Sequence, residues 1–377
     1  MITAIAVIII AVIVLIIFLY VRQDKGKQTG YVPYVEALIA LLEHDDATAM
    51  KKLKETVNRD SDLIDAYIRL GALYRKQGDV PRATQIHQSL TVRPTLNTRD
   101  EKRVFYALVD DMLAANRKNK AISLLREILK IDKKDRHARE LILKLDEEMG
   151  NYADCITLYE EGRFRRTDPQ RHAFYYASLA QAQLQSITGT DPEKEKDAVS
   201  LLKKALKISS NSLSALYYLA AHFEKKGNLK KAMEYYRRII TEHPDQAYLI
   251  MPAFEKIHFE LGSFDEIIPV YERVFREHPN NFTIGLALAA LYEKKNAVEM
   301  AREVYDKLSQ EYPQNVFVSL RLLKSHTDDE AFKEQINEIE KRLTQTTFRC
   351  TKCGFDVDER IFLCPQCHAV ESFLPRL

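Results

Sequence analysis

Tryptophan is absent from this chain of 377 residues, and glycine and proline are scarce at 11 and 12. A chain so poor in turn formers, and rich in Leu, Ala, Lys and Glu, is helical by composition. Charge of one sign is also lacking: 56 Lys and Arg stand against 54 Asp and Glu, a net charge of only +2. That balance gives no electrostatic case for a nucleic acid partner. Catalytic signatures are missing as well. There is no P-loop, no GxSxG, no HExxH and no dinucleotide-binding fingerprint. His87, His222, His258 and His278 are scattered, with no carboxylate or cysteine at a fixed spacing. Nothing in the chain assembles a catalytic constellation, and the expectation is a protein that is not an enzyme.

What the chain does have begins at its end. Four of its five cysteines fall in the pattern Cys350-x2-Cys353-x10-Cys364-x2-Cys367. An x2 spacing lets two thiolates converge on one ion while nearby backbone N–H groups point at the sulfurs. Two such knuckles close a tetrahedral four-sulfur shell, suited to zinc and also to rubredoxin-type iron. Gly354 suits the open backbone angles after the first knuckle, and Pro365 stiffens the second. Two disulfides, or four unrelated buried cysteines, are the competing arrangements. A closed shell leaves no coordination position for substrate, so the ion is structural. Cys155 stands where other repeats carry alanine and reads as a small core residue. His368 adjoins the last ligand but is not needed to complete the shell.

The N-terminus departs from the rest in composition. Ile2 to Tyr20 holds nineteen residues without a charge, about 28 Å as a helix and close to the hydrocarbon thickness of a bilayer. A cleaved signal peptide would show a basic n-region, a shorter apolar core and a small-x-small site, none of which is present. Arg22, Lys25 and Lys27 follow the apolar run and no basic residue precedes it, so the chain from residue 22 onward is expected in the cytoplasm. Residues 1–21 are thus read as a transmembrane anchor and 22–30 as a polar linker. A reducing cytoplasm agrees with thiolates kept free for metal.

Between residues 31 and 315 the chain repeats itself about every 34 residues. One copy runs Tyr67-x2-Leu70-Gly71-x2-Tyr74-x3-Gly78-x4-Ala83 and closes at Pro94. Others carry Gly227, Ala232, Tyr236 and Pro244; Gly262, Ile267, Tyr271 and Pro279; and Ala301, Tyr305 and Pro313. This is the tetratricopeptide pattern, two antiparallel helices per unit. Alanines let the helices cross closely, and tyrosines one turn further on fill the next gap as core. Glycines end the first helix and prolines stop the second. Weaker copies at 31–62, 100–133, 137–167 and 171–209 bring the array to about eight units. The stretch from Gln185 to Pro192 reads as an exposed loop. Basic clusters such as Arg117–Lys120, Arg163–Arg166 and Lys225–Lys226 read as solvated faces. Residues 316–345 supply capping helices, and 346–377 the metal module. The fold expected is an all-α superhelical solenoid with an N-terminal transmembrane helix and a small C-terminal rubredoxin-like or zinc-ribbon module. Its groove, lined by the first helix of each unit, would bind a peptide or partner helix.

Anchor, repeats and the tail Phe348-Arg-Cys350-x2-Cys353-Gly354-Phe355 with Cys364-Pro365-x-Cys367, taken together, resemble the lipopolysaccharide assembly protein B family. The resemblance covers essentially the whole chain in domain order. It implies a rubredoxin-like module packed back on the array, with metal at Cys350, Cys353, Cys364 and Cys367: zinc, with iron as the alternative. It further implies an inner-membrane adaptor that presents the committed lipid A deacetylase to the membrane protease FtsH and so limits lipopolysaccharide production. Tails of that family are rich in Trp near the second cysteine pair, whereas this chain carries Phe362 and Val370, and Phe362 is expected to fill the same packing role. Two other functions fit the residues, an iron electron-transfer protein and a scaffold for other envelope or cell-division enzymes.

Overall fold

The computed structural model describes residues 31–94, 96–161, 168–187, 191–327, 329–343, 347–359 and 361–375. The apolar run expected to cross a membrane, the linker after it and the basic cluster at 163–166 lie outside these residues. Among the described residues no helix is long and apolar enough to cross a membrane. The chain forms two compact units, Met1–Leu145 and Asp146–Leu377.

In the first unit α1 (residues 31–42), α2 (Asp46–Arg59), α3 (Ile64–Lys76), α4 (Val80–Thr91), α5 (Thr98–Ala114) and α6 (Lys118–Ile131) follow in antiparallel pairs. Helix α7 (Arg136–Met149) carries the unit boundary. Ala37, Ala49, Ala66 and Ala83 are fully buried with Leu53 and Leu70, which is how these helices approach closely. His87 is buried rather than free for chemistry. Its Nδ1 lies 2.6 Å from Asp111 Oδ2 and its Nε2 3.1 Å from the Ile68 carbonyl, while Arg75 donates to the other Asp111 oxygen at 2.7 Å. The Gly71 of the repeat signature has a concrete cause here. A Cβ at that position would meet the His87 ring at 2.3 Å.

The second unit continues with α8 (Tyr152–Glu161), α9 (Pro169–Ser186), α10 (Pro192–Ile208), α11 (Leu213–Lys225) and α12 (Leu229–Glu242). After a 3-10 turn at Pro244–Leu249 come α13 (Met251–Glu260), α14 (Ile267–Glu277), α15 (Phe282–Lys294) and α16 (Val298–Glu311), and then α17 (Val316–His326) and α18 (Glu330–Leu343). Pro244, Pro279 and Pro313 each stand two residues beyond the end of a second helix, α12, α14 and α16. Tyr236, Tyr271 and Tyr305 are core, with 2%, 0% and 1% of their surface exposed. Their hydroxyls donate to Glu224, Glu255 and Glu293 of the preceding first helices at 2.7, 3.5 and 3.1 Å. Burial, reinforced by those carboxylates, pushes the three phenols well above their ordinary range, so each stays a donor. Cys155 is buried and free, a core residue. Of the loop expected from Gln185 to Pro192, Gln185, Ser186 and Pro192 are helical, within α9 and α10 of 18 and 17 residues, and 188–190 lie outside the described residues.

First helices end in one recurring way. At Gly78, Gly150, Gly227 and Gly262 the backbone is left-handed, and the next residue donates back across the turn: Asp79 to Tyr74, Asn151 to Asp146, Asn228 to Phe223 and Ser263 to His258, each at 2.9 Å. The same bond recurs beside His44, Asn116 and Asn296, also left-handed, where no glycine stands.

The tail is a small antiparallel sheet of β1 (Phe348–Cys350), β2 (Asp356–Val357) and β3 (Phe373–Pro375) in the order β2-β1-β3. It encloses Phe348, Cys350, Cys364 and Phe373. Such a sheet with a cysteine cluster is compatible with a zinc ribbon.

Candidate metal centre

The two cysteine pairs sit in turns built on the same hydrogen bonds. Cys350 N–H donates to the Phe355 carbonyl at 2.8 Å, and Cys364 N–H to the Ala369 carbonyl at 2.9 Å. Gly354 donates to the Cys350 carbonyl and His368 to the Cys364 carbonyl, both at 2.9 Å. Gly354 has φ +78° and His368 φ +56°, so the residue after each second cysteine is left-handed. Glycine takes that conformation freely, and histidine only with something to hold it.

The turns bring the four sulfurs together. All lie within 4.8 Å of one another, with Cys350 Sγ 3.7 Å from Cys367 Sγ and Cys353 Sγ 3.6 Å from Cys364 Sγ. A tetrahedral zinc with bonds of about 2.3 Å requires sulfurs about 3.8 Å apart, so the set fits one ion. These contacts are far longer than a disulfide bond, and all four cysteines are free. Burial pushes the Cys350 thiol up. The Ser372 hydroxyl and the backbone N–H groups of Lys352 and Cys353 outweigh it and hold the thiol below its ordinary value, while burial and neighbouring sulfurs push Cys353 and Cys367 up. Backbone donors aimed at sulfur are what a thiolate ligand needs. Cys350 and Cys364 are buried, whereas Cys353 and Cys367 are exposed, so the centre has one open edge.

The sequence did not reveal what seats the module on the array. It packs back on the array, on the first helices α9 and α11, on the end of α7 and on the 3-10 turn before α13. Phe362 packs edge-on to Tyr217 and Tyr218, ring centroids 5.6 Å apart, which is the packing role expected of it. Tyr248 stacks on Phe348 at 5.4 Å and donates to the Phe373 carbonyl at 3.1 Å. Glu371 accepts from Ser214 N–H at 2.7 Å and from Gln170 Nε2 at 2.5 Å. Ser214 lies in the first turn of α11, whose own N-cap Ser212 makes no side-chain cap bond. The module therefore supplies a carboxylate to a helix N-terminus of the array. Glu147, nearly fully buried, accepts from His368 Nδ1 at 3.1 Å, Arg171 Nη1 at 2.9 Å and the Tyr175 hydroxyl at 2.5 Å. Arg171 also donates to the His368 carbonyl. That explains a histidine at a left-handed position: its ring is held by a buried carboxylate 221 residues away in the chain. No spacing rule in the sequence could pair residues so far apart.

Residues 190–251 and 258–321 match the family profile described as tetratricopeptide repeat. Over most of its length the chain resembles lipopolysaccharide assembly protein B. The protein of that name from Escherichia coli (strain K12) is 24% identical over 366 residues, covering 94% of this chain and 91% of that protein. The one from Haemophilus influenzae is 26% identical over 322 residues, covering 82% and 79%. Among solved structures, the crystal structure of MamA protein overlaps 49% of this chain and 94% of its own at 18% identity, with a TM-score of 0.34.

Proposed function

We propose that this chain is a non-enzymatic adaptor of lipopolysaccharide assembly, held at the inner membrane by residues 1–21 with everything after them in the cytoplasm. The observation that carries the reading is the similarity to lipopolysaccharide assembly protein B over 94% of the chain. In this reading residues 22–30 are a linker, the repeats of 31–315 offer recognition surfaces, 316–345 close the array, and 346–377 hold one structural ion, zinc, on Cys350, Cys353, Cys364 and Cys367. A segment of about thirty residues buries too little apolar surface to fold alone, so the ion supplies much of its stability. Following the family, the partners are the membrane protease FtsH and the committed lipid A deacetylase, which the adaptor brings together. Crosslinking and affinity purification of the full-length protein from its own membranes tests this directly. Recovery of both proteins supports the reading, and enrichment of a different envelope complex without them transfers the adaptor to that pathway.

One observation favours a second reading. The exposed Cys353 and Cys367 leave an edge of the centre open to solvent, as electron transfer through an iron centre would require. Protein from the native host showing an iron–thiolate charge-transfer band would support it, and colourless protein with one zinc per chain would oppose it.

A further inference from the structure

Between the metal module and the first helices of the second unit lies a cleft of about 580 Å³, and a second of about 440 Å³ opens beside it. Gln181, Gln185 and Tyr218 line both, so the two form one groove. Its module end is aromatic: Tyr152, Phe174, Tyr217 and Tyr218 come from the array and Phe362 from the module. Its far end is positive. Lys225 and Lys226 gather there around a single lining carboxylate, Glu195, with the neutral His222 beside them. Lys226 lies 2.5 Å and His222 3.4 Å from Glu195, and Lys225 has no ion-pair partner among the described residues. Gln181 and Gln185, one helical turn apart on α9, make no side-chain hydrogen bond among the described residues.

We propose that this composite groove binds an extended segment of another protein that carries a bulky apolar side chain and, a short way along, an acidic one. The apolar side chain leaves water in the cleft lined by Phe362, Phe174 and the tyrosines of α11. The carboxamides of Gln181 and Gln185, each able to donate and accept, satisfy the segment's backbone. Its carboxylate meets the free ammonium of Lys225. One wall belongs to the metal module, so the groove exists only when the module is seated. The inference rests on the adaptor reading above and adds to it a place and a ligand chemistry.

A library of short random peptides, displayed with no free C-terminus, is selected on the full-length chain in nanodiscs. The expected winners pair a large apolar residue with Asp or Glu. Lys225→Glu, at an exposed position that cannot unfold the module, weakens their binding by about tenfold. Phe362→Ala weakens it too, and replacing the acidic residue of a winning peptide by Lys abolishes it. Failure to enrich any sequence, enrichment of basic ones, or binding unchanged by Lys225→Glu overturns the inference. The adaptor reading is judged separately. Partners still crosslinked from membranes by the Lys225→Glu protein would leave that function standing and move the contact elsewhere.

Discussion

His368 and Glu371 are both left-handed residues of the tail, and both side chains end on the repeat array. In each, docking contacts offset the cost of an unfavourable backbone. His368→Gly should therefore leave metal content unchanged, because glycine suits the knuckle better, yet loosen the seat by removing the ring from Glu147. Limited proteolysis would show faster cleavage near the tail with a normal metal-to-protein ratio. Gly71→Ala should destabilise the first unit by about 1–3 kcal/mol, since the His87 ring is fixed at both nitrogens and cannot yield to the new methyl; chemical denaturation measures it. Acid sensitivity belongs to this scale too. Burial holds His258 and His222 below the ordinary histidine value. Folding then favours their neutral forms, while the unfolded chain takes up protons near pH 6.5, so stability is complete above that pH and declines as pH falls through it. Burial raises Glu255, which acts in the opposite sense at lower pH. The His258→Gln variant should accordingly lose less melting temperature than the parent between pH 7 and 5.5.

At the scale of the element, the helix ends follow one geometry with unequal sequence signals. Four first helices stop at a left-handed glycine, and three stop at His44, Asn116 or Asn296 with the same return hydrogen bond. Reading glycines finds the first group. The second escapes because asparagine and histidine are common elsewhere in helices and loops, and only the backbone angle marks them. Asn296→Gly should be neutral or slightly stabilising, and Asn296→Ala should cost about 1 kcal/mol, because only glycine adopts this conformation without strain. A pair of thermal melts distinguishes the two. The tyrosines were legible as core from their position one turn after the crossing alanine. Their glutamate partners were not, because each lies on a different helix.

At the scale of the whole molecule, the second unit depends on its last thirty residues in a way the order of the chain does not suggest. Phe362, Glu371 and His368 join the module to first helices, and Phe373 joins it to Tyr248 of the 3-10 turn, all more than a hundred residues earlier. Stripping the metal with a chelator, or Cys350→Ser, should unfold the tail and uncover Tyr217, Tyr218 and the N-terminus of α11. Hydrogen exchange should then rise at residues 213–218 as well as in the tail, and partner binding should fall. Exchange confined to the tail would mean that the array does not need the module.

The sequence by itself determined the helix pairs, their stops at proline, the tyrosine core and the four cysteines able to converge on one ion. Each depends on residues within a few turns of one another, where helical and knuckle geometry leave little choice. Only the tertiary structure decided where the tail is seated, why a histidine follows its last cysteine and which faces remain open as a groove. Those outcomes depend on surfaces that meet across more than two hundred residues, and local spacing carries no record of them.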